Sequence, residues 1–295
     1  MKYKILVLGA SGMAGHMISL YMHENGHDVT GFARHGISYC KSVIGDALDC
    51  ASLKRLIRAD EYDAVINCIG ILNQSAEDNK SLAILLNSYL PHFLADITSD
   101  MPTKIIHMST DCVFSGRKGG YTETDIKDGA SFYDRTKALG ELEDIKNLTL
   151  RNSIIGPDIN PDGIGLLNWF MKAKNQVNGY TNVRWTGLTT LELAKVMEAA
   201  LEQDAHGLYN MVYNQAITKN DLLSPFNQKL RAIPVEIIPT DTVVCDKSLC
   251  RTRFDFQYSV PDYETMIEEL ACWMQNHRTL YPHYDMRIKL GGKAR

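Results

Sequence analysis

The sequence has no cysteine pair at CxxC spacing, no apolar run of bilayer length, no strong excess of either charge and no low-complexity tract. Its cysteines (Cys40, Cys50, Cys68, Cys112, Cys245, Cys250 and Cys272) are odd in number and scattered. That excludes a zinc knuckle and a regular disulfide framework, and no metal is expected. A reducing cytoplasm with mostly buried thiols is the expectation. No stretch approaches the roughly 20 apolar residues a spanning helix requires, and the apolar core of Lys2–Gly9 is too short for a signal peptide. With 31 basic and 35 acidic side chains the net charge is −4. This gives no electrostatic reason to expect a nucleic-acid or membrane partner. What is present is 45% hydrophobic and 22% charged residues over 295 positions, the make-up of a globular chain of one large α/β unit or two domains.

Short apolar runs at Lys4–Leu8, His27–Gly31, Ala64–Cys68, Lys104–Met108 and Leu148–Asn152 alternate with longer periodic segments. Strands covered by helices on both faces lose the apolar–polar alternation and read this way. In Gly12–Asn25, Met13/Met17/Tyr21 and Ala14/Ile18/Met22 recur at i, i+4, and Gly26 suits a C-cap. The order predicts a doubly wound parallel α/β sheet, Rossmann-like, over residues 1–155. A turn-rich stretch at Gly156–Gly163 then opens a smaller α/β substrate-binding lobe over 156–280, part of it packing back on the sheet. Its expected elements are helices around Leu166–Lys174, Leu191–Glu202 and Asp262–His277, and strands at Gly207–Val212 and Pro234–Ile238. Residues 281–295 read as a weakly ordered tail.

The first strand runs straight into Gly9-Ala10-Ser11-Gly12-Met13-Ala14-Gly15 and then a helix. This GxxGxxG spacing provides a tight turn, close backbone approach to a pyrophosphate and a helix N-terminus to hold it. Gly9, Ser11, Gly12, Met13 and Ala14 are therefore candidate cofactor contacts. At the end of the second strand no residue from 29 to 35 is acidic, and Arg34 stands where a 2′-phosphate would be met. That favours NADPH, with NADH possible. Asp46 and Ala47 are placed to contact adenine; the competing role for Asp46 is a helix N-cap.

Tyr133 and Lys137 lie at i and i+4, one turn apart on one helix face. A phenol is a poor acid or base near neutrality unless a nearby cation stabilises its phenolate, and Lys137 is suited to that role. Upstream, Met108-Ser109-Thr110-Asp111-Cys112-Val113-Phe114 leaves an apolar strand at its C-terminal end, where open α/β sheets bind ligands.

Together with Val65–Gly70, Leu86–Pro91, Phe132–Glu141 and Leu150–Ser153, these stretches resemble the extended short-chain dehydrogenase/reductases. Within them, they resemble the dTDP-4-dehydrorhamnose reductase group of sugar-nucleotide reductases. The resemblance covers the first 155 residues. It implies reduction of a nucleotide-linked 4-keto-6-deoxy sugar in surface-polysaccharide or deoxysugar synthesis, in the cytoplasm, by a possible homodimer. It implies Thr110 as the hydroxyl bonding the reacting oxygen, Tyr133 as general acid and Lys137 as its electrostatic partner and a nicotinamide-ribose contact. Cys68, Ile69, Gly70 and Met108, with Tyr133 and Lys137, complete the implied cofactor set, and Asp111 and Cys112 lie on the sugar side. Two positions depart from the group: Cys112 where tyrosine is usual, and Ile154 where tryptophan is frequent. The sugar is therefore open among UDP- and dTDP-linked substrates.

A related dehydratase pattern needs a glutamate where Cys112 stands. GDP-fucose synthases place a catalytic cysteine at that position and pair it with a histidine, but no histidine occurs from residue 108 to 205. A bifunctional epimerase/reductase is thus a secondary reading. A catalytically silent NADP-binding module, like the regulatory subunit of methionine adenosyltransferase, is the other. For the nucleotide end of the substrate, Arg184 offers charge and Trp185 a stacking surface; Arg251 and Arg253 are further diphosphate candidates.

Overall fold

The computed structural model describes residues 1–287. Along the chain, β1 (Lys4–Leu8), α1 (Met13–Glu24), β2 (Asp28–Ala33), β3 (Lys41–Ile44), α2 (Cys50–Ala59) and β4 (Ala64–Asn67) build the first half of a sheet. Then follow α3 (Asn73–Asp78), α4 (Lys80–Ala83), a π-helical turn at Ile84–Tyr89, α5 (Leu90–Ile97), β5 (Lys104–Thr110), a 3-10 turn at Asp111–Val113, α6 (Phe132–Leu139) and β6 (Leu148–Asn152). The remainder is β7 (Ile154–Ile155), α7 (Leu166–Lys172), β8 (Gln176–Tyr180), β9 (Val183–Trp185), β10 (Leu188–Thr189), α8 (Thr190–Glu202) and β11 (Gly207–Asn210). After these come β12 (Ile217–Thr218), α9 (Lys219–Lys229), β13 (Glu236–Thr240), β14 (Cys245–Asp246) and α10 (Tyr263–Asn276).

The expected doubly wound α/β sheet is present. Its order is β11-β6-β5-β4-β1-β2-β3, and every pair is parallel. The strand order reverses between β1 and β4, which opens a crevice beyond their C-terminal ends. Four of the five β1 residues are buried, as are all of β4 and β6, because helices cover both faces.

Two features differ from the sequence expectation. The second lobe shares its core with the sheet, more extensively than a part packing back: one hydrophobic cluster runs from Ile5 and Val7 through Leu188 and Met197 to Tyr281 and Met286. β11, the seventh strand, pairs with β6 from beyond that point. Residues 281–287 are also not a loose tail. Tyr281 is fully buried and its hydroxyl lies 2.9 Å from His16 Nε2, while the Asp158 N–H donates to the Tyr284 hydroxyl (3.0 Å). Two aromatic anchors supply the burial that a polar-looking segment appeared to lack. Residues 288–295 lie outside the described residues.

No cysteine forms a disulfide; six are half-buried and Cys272 is exposed, so the thiols are less buried than expected. Among the described residues no helix is long and apolar enough to cross a membrane, and no group of three or more His, Cys, Asp or Glu could hold a metal ion.

Candidate active site

A cleft of about 630 Å³ lies at the crevice between β1 and β4. Gly9, Ser11 and Gly12 line its floor. Arg34, Asp46 and Ala47 form one wall, Cys68, Ile69 and Gly70 the opposite one, and Asp158 to Ile164 close it from the second lobe. Most of the expected cofactor set therefore converges, joined by the Asp158–Ile164 loop, which sequence reading did not assign to it.

The loop geometry explains its glycines. Gly9 has φ +77° and its N–H donates to Phe32 O, turning the chain sharply off β1. A Cβ on Gly15 would stand 2.1 Å from Gly9 O, so this glycine lets α1 pack directly against the turn. Gly12 caps α1 without any side-chain bond to the first-turn amides, which remain directed outward. Gly15→Ala is expected to displace the turn and weaken dinucleotide binding by about tenfold or more, a backbone clash worth at least ~1.4 kcal/mol. Fluorescence titration with NADPH checks this.

Met13 and Ala14 do not line the cleft. The Ala14 side chain belongs to the core, and Met13 sits against Gly165. The N-cap considered for Asp46 belongs to Asp49, whose carboxylate accepts from the Ser52 N–H (3.0 Å); Asp46 accepts from Leu48 N–H at the cleft wall.

At the C-terminal end of β5 the candidate catalytic groups assemble. β5 runs two residues further than the apolar pattern indicates and ends at Thr110. The Thr110 hydroxyl donates to Asp111 Oδ1 (3.1 Å) and accepts from the Cys112 N–H (3.1 Å), which fixes it as the cap of the 3-10 turn. Facing it, α6 starts in a capping box: Ser131 Oγ accepts from Asp134 N–H (3.0 Å) and Asp134 Oδ2 from Ser131 N–H (3.2 Å). Glu77 adds a bond from the Phe132 N–H (2.6 Å). The π-helical turn holds the helix from the other side. Asn87 Nδ2 donates to Thr136 Oγ1 (3.1 Å) and Ser88 Oγ to Thr136 O (2.8 Å). Tyr133 and Lys137 thus sit on a helix fixed at its start and middle, and both are buried.

Burial is the main influence on their protons. It raises the Tyr133 phenol well above its ordinary value; Cys112, Asp111 and Asp134 push the same way, and the Thr110 hydroxyl opposes. The phenol therefore stays protonated. One turn along α6, the Lys137 nitrogen donates to Met108 O (2.6 Å) and stands 3.4 Å from His107 Nε2. Burial brings Lys137 down to about 8, opposed by Glu141 and Cys68. Burial, reinforced by Asp111, drives the Cys112 thiol up to about 12, with Lys247 opposing. A neutral thiol is no proton acceptor near pH 7.

Beneath these groups lies a buried ion pair. Arg151 donates to both carboxylate oxygens of Glu141 (2.9 and 2.8 Å), and both side chains are completely buried. Ser109 Oγ adds a bond to Glu141 (2.5 Å) and Lys127 a second cation (2.8 Å). Burial raises the Glu141 carboxyl, but Arg151 and Lys127 overcome this and hold it below its usual value. The Arg151 guanidinium also lies over the Phe114 ring, 5.0 Å from its centre.

On the sugar side, Asp111 and Cys112 are at the site, but the second-lobe candidates divide. Trp185 is in the core at 5% exposure, its ring tilted against Tyr263 with centres 5.5 Å apart, and cannot stack on a ligand. Arg184 is exposed and 3.9 Å from Asp246. Arg251 is buried and spends its guanidinium on the carbonyls of Arg253 (2.9 Å), Tyr258 (2.7 Å) and Phe256. Arg253 pairs with Asp255 (2.5 Å). Both guanidiniums are thus engaged within the protein. Ile154 packs against the core. The cation that does act on Asp111, Cys112 and Asp134 is Lys247, half-buried after β14. Sequence reading passed over it because a lone lysine in a loop carries no pattern.

A family model described as the RmlD substrate binding domain matches residues 3–155. A probable low-salt glycan biosynthesis reductase of Haloferax volcanii is 27% identical over 257 residues, 82% of this chain and 83% of that protein. A dTDP-4-dehydrorhamnose reductase of Mycobacterium tuberculosis is 31% identical over 144 residues, 47% and 44% of the two chains. The dTDP-4-dehydrorhamnose reductase of Bacillus anthracis, solved with NADP, superposes with a TM-score of 0.77 at 17% identity, covering 92% of this chain and 100% of that one. With the family matched over more than half its length and the same architecture throughout, the chain belongs to the RmlD substrate-binding-domain family, an oxidoreductase family of dTDP-4-dehydrorhamnose reductase-like extended short-chain dehydrogenase/reductases.

Proposed function

We propose that this protein reduces the keto group of a nucleotide-linked 4-keto-6-deoxy sugar, with NADPH as preferred reductant and NADH as a weaker one, in cytoplasmic glycan or deoxysugar synthesis. The observation that carries the reading is the convergence of Thr110, Tyr133 and Lys137 at the end of β5 and the start of α6, beside the glycine-floored cleft. The outward amides of α1 fit a pyrophosphate, Arg34 a 2′-phosphate, and Cys68 to Gly70 the opposite face of the dinucleotide. Residues 1–155 thus serve the cofactor and the chemistry, with the Asp158–Ile164 loop closing the cofactor cleft, and the rest of 156–280 serves the sugar nucleotide.

When bound, NADPH supplies the hydride. Thr110 donates a hydrogen bond to the sugar carbonyl oxygen by turning its hydroxyl from Asp111. Tyr133, kept protonated by burial, delivers its proton to the same oxygen as negative charge develops there. Lys247 places a cation beside Asp111 and Cys112, where it can meet an anionic part of the substrate. The raised Cys112 thiol supports simple reduction over epimerisation, which needs a thiolate.

The test is a panel of UDP- and dTDP-linked 4-keto-6-deoxy sugars with NADPH or NADH, following absorbance loss and product stereochemistry by NMR. Substrate-dependent NADPH oxidation with retained configuration at the neighbouring carbons is expected. NADPH binding without turnover on any member would instead mark a silent binding module.

A further inference from the structure

Asn67 ends β4 and is fully buried. Its carboxamide has one orientation, because the Ile69 N–H donates to Oδ1 (3.1 Å) and an N–H can only donate. The amide nitrogen is left facing Nδ1 of His107 at 3.2 Å. A ring nitrogen that accepts carries no proton, so neutral His107 holds its proton on Nε2. The ring is neutral: it is fully buried, and burial keeps it well below its ordinary value.

Nε2 stands 3.4 Å from Lys137 Nζ. An imidazole N–H and an ammonium are both donors, so their contact is favourable only when the lysine nitrogen offers a lone pair. As an amine, Lys137 satisfies the whole arrangement. It donates to Met108 O (2.6 Å) and accepts from His107 Nε2–H.

We propose that His107 is a positioning residue for Lys137, presenting Nε2–H so that the cofactor-free enzyme holds the ammonium less firmly, and that NADPH binding is coupled to fractional proton uptake at Lys137. The second half rests on the reading of Lys137 as a cofactor-side residue. The other groups acting on this nitrogen are few. Glu141 favours the ammonium but is shared with Arg151 and Lys127. Cys68 is itself driven up to about 12 by burial, and Tyr133, one turn away on α6, is also held neutral by burial. Titration of Lys137 near 8 accords with the geometry.

The linkage has a definite sign. A group whose pKa is raised by a bound polyanion contributes affinity below its free value and loses it as pH rises. NADPH affinity of the wild-type protein is expected to fall about three- to tenfold between pH 7 and pH 9.5, the size of a shift of up to one unit. Calorimetry in two buffers of different ionisation enthalpy should show proton uptake near pH 8. In His107→Leu the amine loses its donor partner, and the inflection is expected to move up by about one unit, leaving NADPH affinity flatter over the same range.

Two-bond 1H–15N spectra of the wild-type protein at pH 7 are expected to show His107 as the Nε2–H tautomer. That reading needs neither cofactor nor variant, and it stands if His107→Leu fails to fold. A Nδ1–H tautomer or an imidazolium overturns the proposal, as does pH-independent NADPH affinity or an unmoved inflection in the variant. Absence of NADPH binding altogether overturns the reductase reading and the coupling with it, while the tautomer is still read separately.

Discussion

Tyr133→Phe is expected to lower kcat of the keto-sugar reduction by about 10²- to 10⁴-fold, the range for loss of a positioned general acid. NADPH affinity should change by less than about twofold, since the variant removes one oxygen from the sugar side. The ring keeps its packing against Ala76, Ala83 and Cys112, and the capping box that sets the start of α6 is untouched. Steady-state kinetics on the substrate found in the panel, beside a cofactor titration, checks both halves. Turnover within a few-fold of wild type would remove Tyr133 from the reaction.

The second large effect concerns stability. Arg151→Ala should destabilise the protein by about 3–5 kcal/mol, measured by urea denaturation, because a completely buried carboxylate loses its principal partner. Glu141 would keep only Ser109 and the half-exposed Lys127, itself shared with Glu143. The paired replacement Glu141→Met with Arg151→Met is expected to recover much of the loss, since an apolar pair of similar volume avoids the desolvation cost altogether. No recovery would mean that the ion pair is needed beyond its mutual neutralisation, for example to hold Ser109 and the end of β5 in place.

Much of the site was legible because its chemistry is local in sequence. Gly9, Gly12 and Gly15 sit in one turn, where φ and Cβ clearance set the residue type. Tyr133 and Lys137 are one helical turn apart, and Thr110 closes a strand whose apolar run is plain. Less legible were features whose partners come from distant chain. Arg251 and Trp185 had the right residue types for a nucleotide. Nothing local announced that carbonyls of 253, 256 and 258 would saturate the one, or that Tyr263 would cover the other. His107 lies one position before the histidine-free stretch 108–205. Its importance comes from Asn67, 40 residues earlier, and Lys137, 30 later.

The sequence by itself determined the parallel α/β sheet, the glycine loop, the absence of a regular cysteine framework and the candidate residues Thr110, Tyr133 and Lys137. Periodicity, turn sterics and residue spacing act within a few residues of chain, and they survive without knowledge of the fold. Tertiary structure alone decided which charges are available. It buried Arg151 with Glu141, saturated Arg251, brought Lys247 to Asp111 and Cys112, raised the Cys112 thiol, and aimed His107 at Lys137. Desolvation and hydrogen-bond partnership set those states, and both depend on segments that meet only after the chain has folded.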